Sequence, residues 1–271
     1  MSCRSWIARA LAIFCAISIA NVSDGATLRG KPAPPGGTLD FQFPLSEYFQ
    51  QYAAKGGNPR PTTGRALVMF PKNFDVGQSW PILIISSTDD LDRTSIMDAP
   101  SYRDAATKEG WIVLATEATI RPRVDSAAWR FAVLAAALQT IRQDWPQSTQ
   151  WPVALGGFSG GAKATGSLAP MLAASGKIRI YGIFLAGINS DRLGAAYQEV
   201  HPSADFLNVP VWISGGADDK IAPPASEQLV YYSVKRAGFR QVRLEQFFGG
   251  HTLTSAEIQA ALRWFRELGK F

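Results

Sequence analysis

From residue 66 onward the chain alternates between two hydrophobic periods. Short apolar runs rich in β-branched residues lie at 66–70, 81–85, 111–115, 152–156, 180–186, 209–214 and 242–248. Ile82-Leu83-Ile84-Ile85 and Ile112-Val113-Leu114 are continuous, the pattern of strands buried on both faces. Longer stretches with helical spacing separate them, at 102–109, 126–144, 162–174, 225–237 and 255–268. The last of these opens with Thr254 and, three residues on, Glu257, the spacing of a capping box. Pro170 predicts a kink or restart within 162–174. No linker breaks the alternation, so residues 66–271 are predicted to form one α/β domain. Its expected core is a mostly parallel sheet of about 7–8 strands with helices on both faces.

The chain before residue 66 reads differently. Residues 21–65 form a leading segment with the turn-forming clusters Lys31-Pro32-Ala33-Pro34-Pro35-Gly36-Gly37 and Gly56-Gly57-Asn58-Pro59-Arg60-Pro61. One short helix is expected between them, at 45–54. Residues 1–20 read as a signal peptide. Arg4 and Arg9 precede an apolar run from Ala10 to Ala20, and Ser18-Ile19-Ala20 offers small residues at a peptidase site. Cleavage there would start the mature chain at Asn21 and remove both cysteines, Cys3 and Cys15. A secreted or periplasmic protein without a membrane anchor is the expectation.

Composition narrows the chemistry. The chain is 46% hydrophobic and 18% charged, which suits a large buried core rather than disorder. Its 27 basic and 22 acidic residues are interspersed without a Lys/Arg block, so nucleic acid is not an expected partner. With two histidines and two cysteines, a zinc site of the usual kind is not expected either.

The sharpest motif is Gly156-Gly157-Phe158-Ser159-Gly160-Gly161. Gly157-x-Ser159-x-Gly161 fits a nucleophile elbow, in which a serine sits on a tight strand-to-helix turn and side chains two residues away would collide with its walls. The runs on either side read as the required strand and helix. His251 follows the last predicted strand and is the candidate base; His201 has no strand leading into it and is read as structural or peripheral. A carboxylate must orient the imidazole. Asp218 and Asp219 both follow the strand 209–214, and Asp191 is a weaker strand-end candidate.

In chain order Ser159, Asp219 and His251 resemble the α/β-hydrolase superfamily over about residues 65–268. Gly157 to Gly161 and Asp219-Lys220-Ile221-Ala222-Pro223-Pro224 are similar to its dienelactone-hydrolase and carboxylesterase branch, which includes secreted polyester-depolymerase-like enzymes. The spacing from Asp219 to Pro223 favours Asp219 over Asp218. The resemblance implies an acyl-enzyme mechanism with neither metal nor organic cofactor, and an ester substrate, small or polymeric. Such relatives carry His-Gly or a glycine run after the third strand of the sheet. Here that place holds Ser86-Ser87-Thr88-Asp89-Asp90. The oxyanion donors are therefore expected to be the amides of Gly160 and Thr88, with Ser87 as a fallback. Little or no lid is expected, because only a short segment separates the strands at 180–186 and 209–214.

The expected activity is thus that of a secreted serine esterase. A peptidase of the same fold would share nucleophile and base. A hydrolase-fold binding module without activity is the non-enzymatic reading, resting on the altered loop after the third strand. Arg121 and Arg123 follow a strand near the expected site and read as solvated loop residues.

Overall fold

The computed structural model describes residues 25–88 and 92–271. The segment expected to be a signal peptide, with both cysteines and Asn21, lies outside the described residues. A short hairpin, β1 (Thr27–Leu28) and β2 (Lys31–Pro32), leads into β3 (Thr38–Pro44) and α1 (Glu47–Ala53). The sheet continues with β4 (Thr63–Met69), β5 (Ile82–Ser86), β6 (Ile112–Ala118), β7 (Val153–Phe158), β8 (Ile180–Ala186), β9 (Val211–Gly216) and β10 (Val242–Phe247). Between them run α2 (Ser95–Asp98), α3 (Pro100–Lys108), α4 (Ala127–Asp144), α5 (Gly160–Ala174), α6 (Leu193–Val200) and α7 (Pro224–Arg236), and α8 (Ser255–Gly269) closes the chain.

The main sheet has eight strands in the order β10-β9-β8-β7-β5-β6-β4-β3. β5 to β10 are parallel to one another, while β4 is antiparallel to both β6 and β3. From β5 the chain crosses to β6 on one side and later returns to place β7 on the other. That reversal opens a crevice at the carboxyl ends of β5 and β7, the place where open α/β sheets take their ligands.

The two-faced burial follows from strand periodicity. Ile82 and Ile84 of β5, and Val153 and Leu155 of β7, point into one apolar layer with α4, α5 and α7. Leu83 and Ile85, with Ala154, point into the other, against α3 and α8. α4 starts where the Ser126 hydroxyl accepts from the Trp129 amide.

Three local expectations change. The leading segment is not outside the sheet: β3 pairs with the whole length of β4, from Thr38 opposite Met69 to Pro44 opposite Thr63. Leu39, Phe41 and Phe43 alternate into the core while Thr38, Gln42 and Pro44 face solvent. Second, α5 runs unbroken through Pro170. Leu168, Ala169 and Leu172 are buried around it, and that packing outweighs the lost backbone bond. Third, the capping box of α8 is one-sided. Thr254 Oγ1 accepts from the Glu257 amide at 3.2 Å, but the Glu257 carboxylate turns to the Trp212 indole, 3.3 Å away.

The segment between β8 and β9 forms α6 and a single 3-10 turn (Ala204–Asn208), and α6 packs on α5 and α7. Among the described residues no helix is long and apolar enough to cross a membrane.

Candidate active site

β7 hands the chain to α5 through Ser159, whose backbone sits at φ 57°, ψ −120°. A non-glycine residue pays strain there, and such strain concentrates at functional turns. The turn is tight enough to exclude side chains on both flanks. A Cβ on Gly157 would lie 2.1 Å from the Gly161 carbonyl oxygen, and one on Gly161 would lie 2.2 Å from the Ser86 carbonyl oxygen. A Cβ on Gly160 would lie 3.0 Å from the Thr88 Cα and closer still to its side chain. Close approach of α5 to the end of β5 is therefore what these glycines permit, and it sets Thr88 directly against Gly160.

Two loops bring the partners of Ser159. The Asp218 amide donates to the Gly249 carbonyl at 2.9 Å and the Ala217 amide to the Phe247 carbonyl at 2.8 Å, lacing the loops after β9 and β10 together. Gly216 makes this possible, because a Cβ there would lie 2.2 Å from the Gly249 carbonyl oxygen and 2.3 Å from that of Gly250. The result is a hydrogen-bonded chain. His251 Nε2 lies 2.9 Å from Ser159 Oγ, and His251 Nδ1 lies 2.7 Å from Asp219 Oδ2. The Phe158 ring packs against the imidazole with ring centres 4.6 Å apart.

Asp219 is buried and its second oxygen is also engaged. Oδ1 accepts from the amides of Ile221 at 2.7 Å and Ala222 at 2.8 Å. Burial by itself pushes this carboxyl up, but the amide bonds and the bond from His251 outweigh it and hold the pKa below the usual value. The charged form is thus favoured, which suits a group that must stabilise an imidazolium. Asp218 is exposed, and the structure does not bring its side chain to His251. His201 caps α6 in a left-handed conformation and is exposed, while the imidazole bonded to Ser159 is that of His251. Asp191 accepts from the Gly194 amide and from Ser233 Oγ, a local structural role.

Of the two oxyanion candidates after β5, the Ser87 amide is already committed, donating to Ser95 Oγ at 3.2 Å. The fallback is therefore set aside and Thr88, beside Gly160, remains. Arg121 pairs with Asp92 on the surface. The Arg123 amide and the Val124 amide donate to Asn58 Oδ1, tying this loop to the leading segment.

Two groups escaped the sequence reading. Glu227 of α7 is fully buried, and its carboxyl oxygens have no hydrogen-bond partner among the described residues. It fills the space where Gly215 lacks a Cβ, 1.6 Å from where that atom would sit. Burial, reinforced by the nearby Asp219 charge, pushes its pKa up to about 8. Arg130, in the first turn of α4, reaches the backbone after β5. Neither residue belongs to a motif, and only the fold brings them to the site. Among the described residues, no group of three or more His, Cys, Asp or Glu is arranged to hold a metal ion.

No protein-family model matches the chain, and no curated protein matches it. Solved structures do. A thermophilic, thermostable carboxylesterase cloned from a metagenomic library superposes with a TM-score of 0.58 at 15% identity, over 87% of this chain and 90% of that one. A truncated carbohydrate esterase from gut microbiota gives 0.56 at 13% identity, over 89% and 99%. A bacterial heroin esterase gives 0.57 at 15% identity, over 84% of each chain. Likeness at this level of identity establishes the architecture, and the chain has the α/β-hydrolase fold.

Proposed function

We propose that this protein is a serine hydrolase that cleaves carboxylic esters through an acyl-enzyme. The observation that carries the reading is the hydrogen-bonded chain from Ser159 through His251 to Asp219, at the crevice between β5 and β7. With Nδ1–H donating to Asp219, His251 Nε2 is left as acceptor for the Ser159 hydroxyl proton. Ser159 Oγ then attacks the ester carbonyl, and the proton passes through His251 to the departing alcohol. Water repeats the steps in reverse order and releases the acid. The developing oxyanion is assigned to the Gly160 and Thr88 amides. The esterase neighbours support an ester substrate. The motifs from Gly157 to Gly161 and from Asp219 to Pro224 are what favour the dienelactone-hydrolase-like branch within the fold.

The surroundings favour accessible esters. Phe248, fully exposed, and Ile221, 60% exposed, stand in the two loops that carry His251 and Asp219. Apolar side chains left in water beside a catalytic centre suit a bulky or polymeric apolar acyl group.

A fluorophosphonate probe is expected to label the wild type stoichiometrically and to leave Ser159→Ala unlabelled. A panel of p-nitrophenyl esters and matching anilides should show ester turnover well above amide turnover. A folded wild type that neither reacts with the probe nor turns over any activated ester would overturn the reading. A stronger amide activity would redirect it to a peptidase. We also assign the mature protein to the exterior of the cytoplasm, from Arg4, Arg9 and the apolar run to Ala20. N-terminal sequencing of the exported protein should begin at Asn21, and soluble cytoplasmic protein that retains Met1 would refute this.

A further inference from the structure

The loop after β5 lacks the glycines that resembling hydrolases use there, yet one largely buried side chain grips it. Arg130 Nη1 donates to the Ser87 carbonyl oxygen at 2.9 Å, and Nη2 donates to the Thr88 carbonyl oxygen at 2.7 Å. The guanidinium is itself fixed by Asp125. Nε meets Asp125 Oδ1 at 2.8 Å, and Nη2 meets Oδ2. Both side chains are only 12% exposed. Asp125 stands just before the helix and Arg130 in its first turn, so the capped start of α4 holds the whole fork.

A peptide unit is planar and trans, so its N–H points opposite to its C=O. The Ser87 carbonyl and the Thr88 amide belong to one such unit. A donor that holds the Ser87 oxygen on the Arg130 side therefore aims the Thr88 N–H the other way. We infer that Arg130, locked by Asp125, is the positioning residue that orients the Thr88 amide as the second oxyanion donor. This rests on the reading of Ser159 as an ester-cleaving nucleophile. The planar fork explains the residue type: guanidinium carries five donors in fixed directions and can bind one carboxylate and two carbonyls together. A lysine ammonium cannot match that set. The neighbouring space gives the grip a purpose. A cavity of about 80 Å³, lined in part by Ile84, Trp129 and Leu134, lies next to Ser87 and Arg130 and leaves the loop room to move if it is released.

The test measures turnover of a neutral p-nitrophenyl ester, together with the inhibition constant of a trifluoromethyl ketone, whose adduct with serine bears the oxyanion. Arg130→Met is expected to lower kcat about a hundredfold with KM changed less than threefold, in line with loss of one oxyanion donor. The ketone should weaken by the same factor as kcat/KM. Arg130→Lys keeps a cation beside Asp125 if the methionine variant does not fold, and it should lose about tenfold in both measures. Asp125→Asn retains both carbonyl contacts and should lose less than either. A folded Arg130→Met or Arg130→Lys with wild-type kcat would overturn the assignment. So would a fall in kcat with no weakening of the ketone, because that pattern belongs to a structural defect elsewhere. An inactive wild type would refute the esterase reading instead, and the two failures are thereby distinct.

Discussion

Two neighbouring carboxyl groups under the same loop are driven in opposite directions by their surroundings. Asp219 is buried yet accepts two amide bonds and one from His251, so it stays charged. Glu227 is buried with no partner among the described residues, so it stays protonated up to about pH 8. Each has a consequence for stability. The Asp219 carboxyl is lowered in the folded state, so its contribution is present above the unfolded value and lost as pH falls below about 3.8. The Glu227 carboxyl is raised, so its folded state is favoured fully below its ordinary 4.5 and progressively less as pH rises to about 8. Glu227→Gln keeps the shape and removes the titration. Thermal denaturation across pH should show the variant gaining on the wild type from pH 4.5 to 8 and running parallel to it above that range. A constant difference across the range would contradict the assignment of Glu227 as the buried titrating group. For turnover, Ser159→Ala should be the more severe loss and Asp219→Asn milder by about two orders of magnitude, since in the proposed mechanism the acid orients while the serine forms the bond. Asp218→Asn should remain close to wild type in the same kinetic assay. If instead it abolished turnover, the acid would be misassigned.

At the level of elements, much was legible because the chemistry sits where periodicity changes. The continuous apolar runs at 82–85 and 112–114 are β5 and β6, and the glycine pattern around Ser159 marks the β7-to-α5 turn in the sequence itself. His251 and Asp219 could be found as polar residues at strand ends. Arg130 and Glu227 could not, since an arginine or a glutamate in the first turn of a helix looks like an ordinary solvated residue. Their burial is decided by which strand end or loop the helix packs against. The glycines past the strands carry the same lesson in reverse, because Gly216 shows its purpose only when the loop at Gly249 and Gly250 crosses over it. Gly216→Ala would push that loop, and with it His251, away from Ser159. Steady-state kinetics should show kcat lower by about a hundredfold, the scale of a displacement near 1 Å in a reacting group. Gly176→Ala, at a position with φ 67° but open space around it, should lower the melting temperature without that loss of kcat.

On the scale of the whole molecule, the boundary drawn at residue 66 is the point where sequence reading fell shortest. Proline- and glycine-rich flanks at 31–37 and 56–61 make 21–65 read as an entry segment ahead of the sheet, and they mask the alternation in Thr-Leu-Asp-Phe-Gln-Phe-Pro. The structure makes that heptad β3, the outermost strand of the main sheet on the side of β4. Arg65 of β4 reinforces the join by pairing with Asp40 of β3 and Glu117 of β6. Leu39, Phe41 and Phe43 are each at most 5% exposed, and they pack with Ala66, Val68 and the apolar side of α4. Burying side chains of this kind stabilises by about 1.5–3 kcal/mol each. Three of them together approach the net stability of a typical domain, about 5–15 kcal/mol. Removal of β3 would also leave the unpaired edge of β4 open to other chains. A chain starting at Gly25 should therefore fold and show cooperative thermal unfolding. One starting at Leu45 should aggregate or unfold at least 10 °C lower, on the general scale of several degrees per kcal/mol. Size-exclusion chromatography and calorimetry of the two chains decide the matter: a monomeric, equally stable chain from Leu45 would show that β3 is not needed to hold the sheet.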